Sequence, residues 1–174
     1  MRIMTKKINL RITIEETAER HPVPVLGIDY KVKIVYKNVK CAELDVEDKL
    51  IKISLPSKYK KANNEKILDM AIDKMYEQIA KVEVERAMEK TRILLGFAPE
   101  DYEIKKIKNA LGKCEDKKIT INPEIVKYNR KVIDYVVLHQ YCHLKHKTHS
   151  KAFMKMIEKY QPDYKKCEEI LLNI

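Results

Sequence analysis

The sequence predicts an α+β protein: a β-rich N-terminal lobe, then a long central helix, then a compact, mostly helical remainder. Three patterns carry this. Apolar and polar residues alternate between residues 6 and 55, the period of a half-buried strand. Between Asn64 and Leu95 the apolar spacing changes to three or four, the period of a helix face. Beyond Lys131 an apolar run leads into four closely spaced histidines. A chain of 174 residues suits one domain with a small appended lobe. The expected division is a β-rich lobe over residues 1–62 and a second unit over 63–174.

Ile8, Leu10, Ile12 and Ile14 predict the first strand, and His21-Pro22-Val23-Pro24 interrupts the pattern. Tyr30, Val32, Ile34 and Tyr36 predict a second strand, and Leu50 to Leu55 a third. Pro56 and the polar residues 60–64 close the lobe. In the central helix Ile67, Ala71, Met75, Ile79 and Val82 form the apolar face. Gly96 and Pro99 stop it. Tyr102 to Ile107 and Lys118 to Ile121 predict two short paired strands, with Leu111-Gly112-Lys113-Cys114 between them. A helix starts near Lys131, and two shorter helices fit Lys151–Tyr160 and Asp163–Leu172.

Composition narrows the function. No apolar run approaches the roughly eighteen residues of a membrane span. The first residues lack the apolar stretch of a leader peptide, so a cytoplasmic protein is expected. Cys41, Cys114, Cys142 and Cys167 are widely spaced with no CxxC pair, which favours free thiols. Only three glycines occur, so a glycine-rich phosphate loop is absent. The net charge of +10 admits nucleotide or nucleic-acid contact, but the lysines are spread along the chain and fit solvated faces.

The chemistry concentrates in 139-HQYCHLKHKTHS-150. His139 and His143 are four apart and share one helical face, so both imidazoles can reach one metal ion. His149 can supply a third ligand if the helix ends and the chain turns back. His146 competes for that role, since it falls on the same face if the helix continues. One helix cannot aim both at the metal, and His149 is preferred. Three protein ligands leave a position open, the arrangement of catalytic rather than structural zinc.

The run 133-IDYVVLHQYCHLKHKTHSKAF-153 closely resembles the signature of the YgjP-like metallopeptidase family, whose site layout is similar to that of SprT-like proteases. Ile133, Asp134, Tyr135, Val136, His139, Cys142, His143, Leu144, His149, Ser150 and Phe153 match it. So do Gly112, Cys114 and Asn122 upstream and residues 158–164 downstream, so the resemblance covers roughly residues 105 to 170. It implies a zincin-like domain, zinc on His139, His143 and His149, and peptide or protein substrates. Some members are linked to nucleoside-triphosphate pyrophosphate hydrolysis instead.

The chain departs from that signature where catalysis would lie. Gln140 stands where the family carries glutamate as general base, and Tyr141 where it carries leucine. Ala110, Leu111 and Lys113 replace the family's Arg, Trp and Ser. Glutamine cannot accept a proton at neutral pH. A hydrolase with weakened or absent activity is therefore expected, or else a non-catalytic zinc-binding module for peptide or nucleic acid. Glu115, Glu124, Asp134 and Glu158 are the carboxylates considered as stand-ins or as partners for a ligand histidine. Lys113 and Lys145 are the phosphate contacts that a phosphohydrolase would use. Cys142 is expected to be a packed core thiol.

Overall fold

A computed structural model describes residues 18–60 and 65–172 of the chain. The strand expected over Ile8 to Ile14 lies outside the described residues. The fold is α+β, with an N-terminal sheet, a long central helix and a mainly helical C-terminal part. Among the described residues, no helix is long and apolar enough to cross a membrane.

The N-terminal sheet contains β1 (Ala18–Val25), β2 (Ile28–Lys37), β3 (Glu43–Glu47) and β4 (Leu50–Pro56), in the order β1-β2-β4-β3. β2 and β4 are parallel central strands, and β1 and β3 flank them antiparallel. One expectation is corrected here. His21-Pro22-Val23-Pro24 does not interrupt a strand but lies within β1. Among the described residues β1 is an edge strand, and its register shifts between Arg20 and Val23. Edges and bulges are where proline's missing N–H is tolerated. The acidic segment Glu43–Glu47 is a strand the sequence did not announce; it pairs along β4, with Asp45 opposite Lys52.

Leu26 and Gly27 turn β1 into β2, and both have positive φ. The turn leans on the later half of the chain. Leu26 N–H donates to Val126 O at 2.7 Å, and Gly27 N–H to Lys127 O at 3.1 Å. A Cβ at position 27 would lie 3.0 Å from Cβ of Asn129, so glycine is required by both conformation and space.

The helix α1 (Glu65–Leu95) matches its prediction in extent, and of the predicted face Met75 is buried and Ile67, Ala71 and Ile79 pack partly buried against the core. Leu68, Ile72, Met75, Tyr76, Ala80 and Val84 are buried, whereas Val82 is 66 % exposed. Apolar side chains lie all round this helix, so period alone could not choose the face. Gly96 ends it with a left-handed turn, its N–H donating to Arg92 O.

A second sheet joins β5 (Asp101–Ile104), β6 (Gly112–Glu115) and β7 (Lys118–Ile121) in the order β5-β7-β6. β5 and β7 pair as expected, in parallel, although β5 stops short of Ile107. The segment expected to connect them is itself β6, antiparallel to β7. Asp116 and Lys117, both at positive φ, make the tight turn. A short 3-10 turn, Pro123–Lys127, leads into the helices α2 (Arg130–Lys145), α3 (Lys151–Tyr160) and α4 (Tyr164–Leu172).

α2 is clamped against α1 by charge. Glu83 is buried, and its carboxylate accepts from Arg130 at 2.7 Å and from Arg86 at 3.0 Å. Arg86 and Lys90 also donate to Asp134, at 2.8 and 2.6 Å. Tyr141 OH donates to Met88 O at 3.1 Å. Tyrosine thus fills the place of the family's leucine and adds a bond to α1. Arg130's hydrogen bonds, with help from Arg86 and against the cost of burial, hold the Glu83 carboxyl below its ordinary range. A depressed carboxyl stabilises the fold fully above its unfolded pKa and loses that contribution as pH falls through the folded value. Glu83→Gln should cost roughly 2–3 kcal/mol at pH 7. Urea denaturation of both proteins tests this. The difference should shrink as pH drops below about 4, and a constant difference would assign the effect to shape rather than charge.

Candidate metal centre and its cleft

Asn129 starts the histidine helix: its side chain accepts from Val132 N–H at 3.1 Å. Val132, Ile133, Val136 and Val137 bury the inner face of α2, which leaves His139 and His143 on the face toward α3. The helix ends at His146, whose N–H still donates to Cys142 O. The chain then turns, and Ser150 caps α3 by accepting from Phe153 N–H at 3.3 Å. That turn carries His149 back over α2. Its Nε2 lies 3.0 Å from His139 Nε2 and 3.1 Å from His143 Nε2, and the latter two are 3.2 Å apart. His146 stays outside this triangle and contributes its carbonyl.

Phe153, 1 % exposed, forms a floor under all three rings, with centroid distances of 5.0, 4.8 and 4.7 Å to His139, His143 and His149. The match of Ser150 and Phe153 to the family signature thus has a physical cause. One residue starts the helix that returns His149, and the other supports the three imidazoles.

The outer nitrogens decide which lone pairs face inward. His143 Nδ1 is 3.1 Å from His146 O, and a carbonyl only accepts, so Nδ1 carries the proton. Nε2 of the neutral ring is then a bare lone pair. Burial, followed by the neighbouring His143 and His149, holds His139 down to about 4; burial lowers His143 as well. Both rings are therefore neutral near pH 7. With an Nε2 lone pair on each ring, the three nitrogens would converge on a point that a cation among them satisfies. Zinc–nitrogen bonds of about 2.0–2.1 Å in a tetrahedral site separate ligand nitrogens by roughly 3.3 Å. The observed triangle of 3.0–3.2 Å fits that requirement.

Gln140 and His139 both line a cleft of about 920 Å³. Gln140 is only 7 % exposed, and among the described residues its side-chain amide has no protein partner. Gly112 on the edge strand β6 receives it. A Cβ at position 112 would lie 3.0 Å from both Cγ and Nε2 of Gln140. Asn122, 3 % exposed, shapes the neighbouring wall by donating to Ile107 O and Ala110 O and accepting from Glu124 N–H. Gly112 and Asn122, singled out in sequence only by resemblance, are thus both cleft residues.

The carboxylates considered as stand-ins are occupied or remote. Asp134 is held by Arg86 and Lys90, Glu115 by Lys113, and Glu124 by Lys127, while Glu158 is exposed on α3. The acid that does reach the histidines is Glu168 on α4, which accepts from Tyr135 OH at 2.7 Å. Tyr135 OH is in turn 3.4 Å from His139 Nδ1. Nothing in the sequence marks Glu168, which is 33 positions from Tyr135. Cys142 is fully buried, and burial pushes its thiol up to about 12, which fits an inert core role.

The family model described as "YgjP-like, metallopeptidase domain" matches residues 3–173. The chain belongs to the YgjP-like family. Two solved structures are similar to this YgjP-like protein. One is the metallopeptidase zymogen abylysin of Pyrococcus abyssi, at 25 % identity and a TM-score of 0.47, covering 52 % of this chain and 92 % of that one. The other is the zymogen jannalysin of Methanocaldococcus jannaschii, at 19 % identity and a TM-score of 0.47, covering 52 % and 94 %. No curated protein matches the YgjP-like chain.

Proposed function

We propose that this YgjP-like protein holds zinc on His139, His143 and His149, and that Gln140 leaves its peptide-bond hydrolysis weak or absent. The observation that carries the metal reading is the triangle of three Nε2 atoms with the protonated outer nitrogen of His143 turned away. Imidazole donors suit zinc, and three of them leave a position open. A metal held there supplies Lewis-acid polarisation of a substrate carbonyl. The chain's own part is to hold three imidazoles on the Phe153 floor and to present Gln140 next to His139. The amide can orient a water or a carbonyl but cannot take up a proton.

The substrate reading follows from the cleft. Its charged walls are Glu124 and Glu168, and among the described residues no lysine or arginine lines it. Lys113 is paired with Glu115, and Lys145 lies over the Phe97 ring. With Glu124 already paired with Lys127 and Lys106, and no cationic side chain in the lining to take a triphosphate, a peptide or protein segment fits better than a nucleotide despite the net charge. A second reading, a zinc-containing module that binds peptide without cleaving it, is favoured by the amide of Gln140, buried and without a partner among the described residues. Buried, unpaired Cys142 and Cys167 fit a reducing, cytoplasmic setting.

Metal analysis by mass spectrometry, on protein purified without tag or chelator, tests the proposal. The expected result is about one zinc per chain, with zinc uptake by titration if the protein arrives empty. Protein that is empty and takes up no zinc rejects both readings.

A further inference from the structure

The outer nitrogen of His143 is fixed by a backbone carbonyl, but that of His139 depends on side chains from two helices. Tyr135 lies one turn before His139 on α2, with ring centroids 5.8 Å apart. Glu168 comes from α4, whose Tyr164 also stacks on Tyr135 at 6.4 Å. The chemistry of the three groups sets the direction of the bonds. The Tyr135 hydroxyl donates to Glu168 Oε1 at 2.7 Å. Having used its proton there, the tyrosine oxygen can only accept on its other side. The group on that side, at 3.4 Å, is His139 Nδ1.

We propose that Glu168, acting through the Tyr135 hydroxyl, holds His139 as the Nδ1–H tautomer and so turns its Nε2 lone pair toward the metal. Glu168 is a positioning residue. It sits behind the ring, on the Nδ1 side, and so does not replace the proton acceptor missing at position 140. Partners of this kind fix the tautomer and orientation of ligand histidines, and their loss typically costs 10–100-fold in metal affinity. The link to His139, at 3.4 Å, is the longer of the two. The metal half of this inference rests on the zinc reading above, and the tautomer half does not.

The test uses full-length protein with ¹⁵N-labelled histidine, metal-free and zinc-loaded, in wild type, Tyr135→Phe, Glu168→Ala and Glu168→Gln. Long-range ¹H–¹⁵N correlation reports the His139 tautomer, and chelator competition reports zinc affinity. Wild type should show Nδ1–H at His139 even without metal. Glu168→Ala and Tyr135→Phe should each weaken zinc binding roughly 10–100-fold and, combined, do little more than either alone. Glu168→Gln keeps an oxygen that can accept from Tyr135 and should recover most of the loss. Should Tyr135→Phe fold poorly, Glu168→Ala, on a half-buried position of α4, decides the matter. His139 found as the Nε2–H tautomer in metal-free wild type overturns the relay, whether or not zinc binds. Equal zinc affinity and an unchanged tautomer in Glu168→Ala overturn it as well. Failure of wild type to take up zinc, with the Nδ1–H tautomer present, rejects the zinc reading and leaves the relay standing.

Discussion

Gln140→Glu should raise peptide-bond hydrolysis by about 10²–10⁴-fold, the usual worth of a positioned general base. The two side chains share a shape, and the pocket is already formed. Position 140 is buried beside His139, and Gly112 leaves just enough room for its Cγ and amide end. The exchange therefore changes what the group can do with a proton and moves little else. A carboxylate here can take the proton of an attacking water and return it to the leaving nitrogen, whereas the amide can only hydrogen-bond. The measurement is cleavage of a mixed fluorogenic peptide library by both proteins, each given equal zinc. The double variant Gln140→Glu with His143→Ala sets the background. A Glu variant no faster than background would leave the non-catalytic module as the better reading. Native protein as fast as the Glu variant would remove position 140 from the chemistry altogether.

The second large effect is on stability. A metal that binds only the folded chain adds about 2.7 kcal/mol at a free concentration one hundred times its Kd. For a chain of this length that corresponds to a rise in Tm of roughly 5–10 °C. His143→Ala should abolish the rise, because two imidazoles cannot close the triangle and the third nitrogen is gone. Scanning calorimetry with and without zinc, on both proteins, reads this directly. An equal rise in His143→Ala would mean that zinc stabilises the protein from some other site. Metal-free His143→Ala should unfold close to metal-free wild type, since its ring is only partly buried.

Much of the site was legible because it is local. The four-residue spacing of His139 and His143, the polar break after Lys145 and the capping residue Ser150 all act within a dozen positions. α3 lies where the sequence put it, and the start of α2 moves only to Arg130. What escaped was set by contacts distant in sequence. The buried face of α1 includes Glu83, which looks like a surface residue until Arg130 arrives from α2. Met70 and Ile93 are apolar yet exposed, so the helix offered several apolar faces of similar strength. β3 has acidic residues at alternate positions and is a strand because β4 offers it an edge. β6 reads as a glycine-containing turn and becomes a strand by pairing with β7. Glu168 reaches the site only through the docking of α4, and no spacing rule connects it to Tyr135.

The close approach of Gly112 to Gln140 also bears on how such a chain evolves. Glutamine and glutamate codons differ by a single base, and the glycine that seats one seats the other equally well. A lineage can therefore exchange one side chain for the other at position 140 in one mutational step, with the same seat on Gly112. The constraint falls on Gly112 instead. Once a larger residue is accepted there, the side chain at 140 is displaced, and the route back is closed.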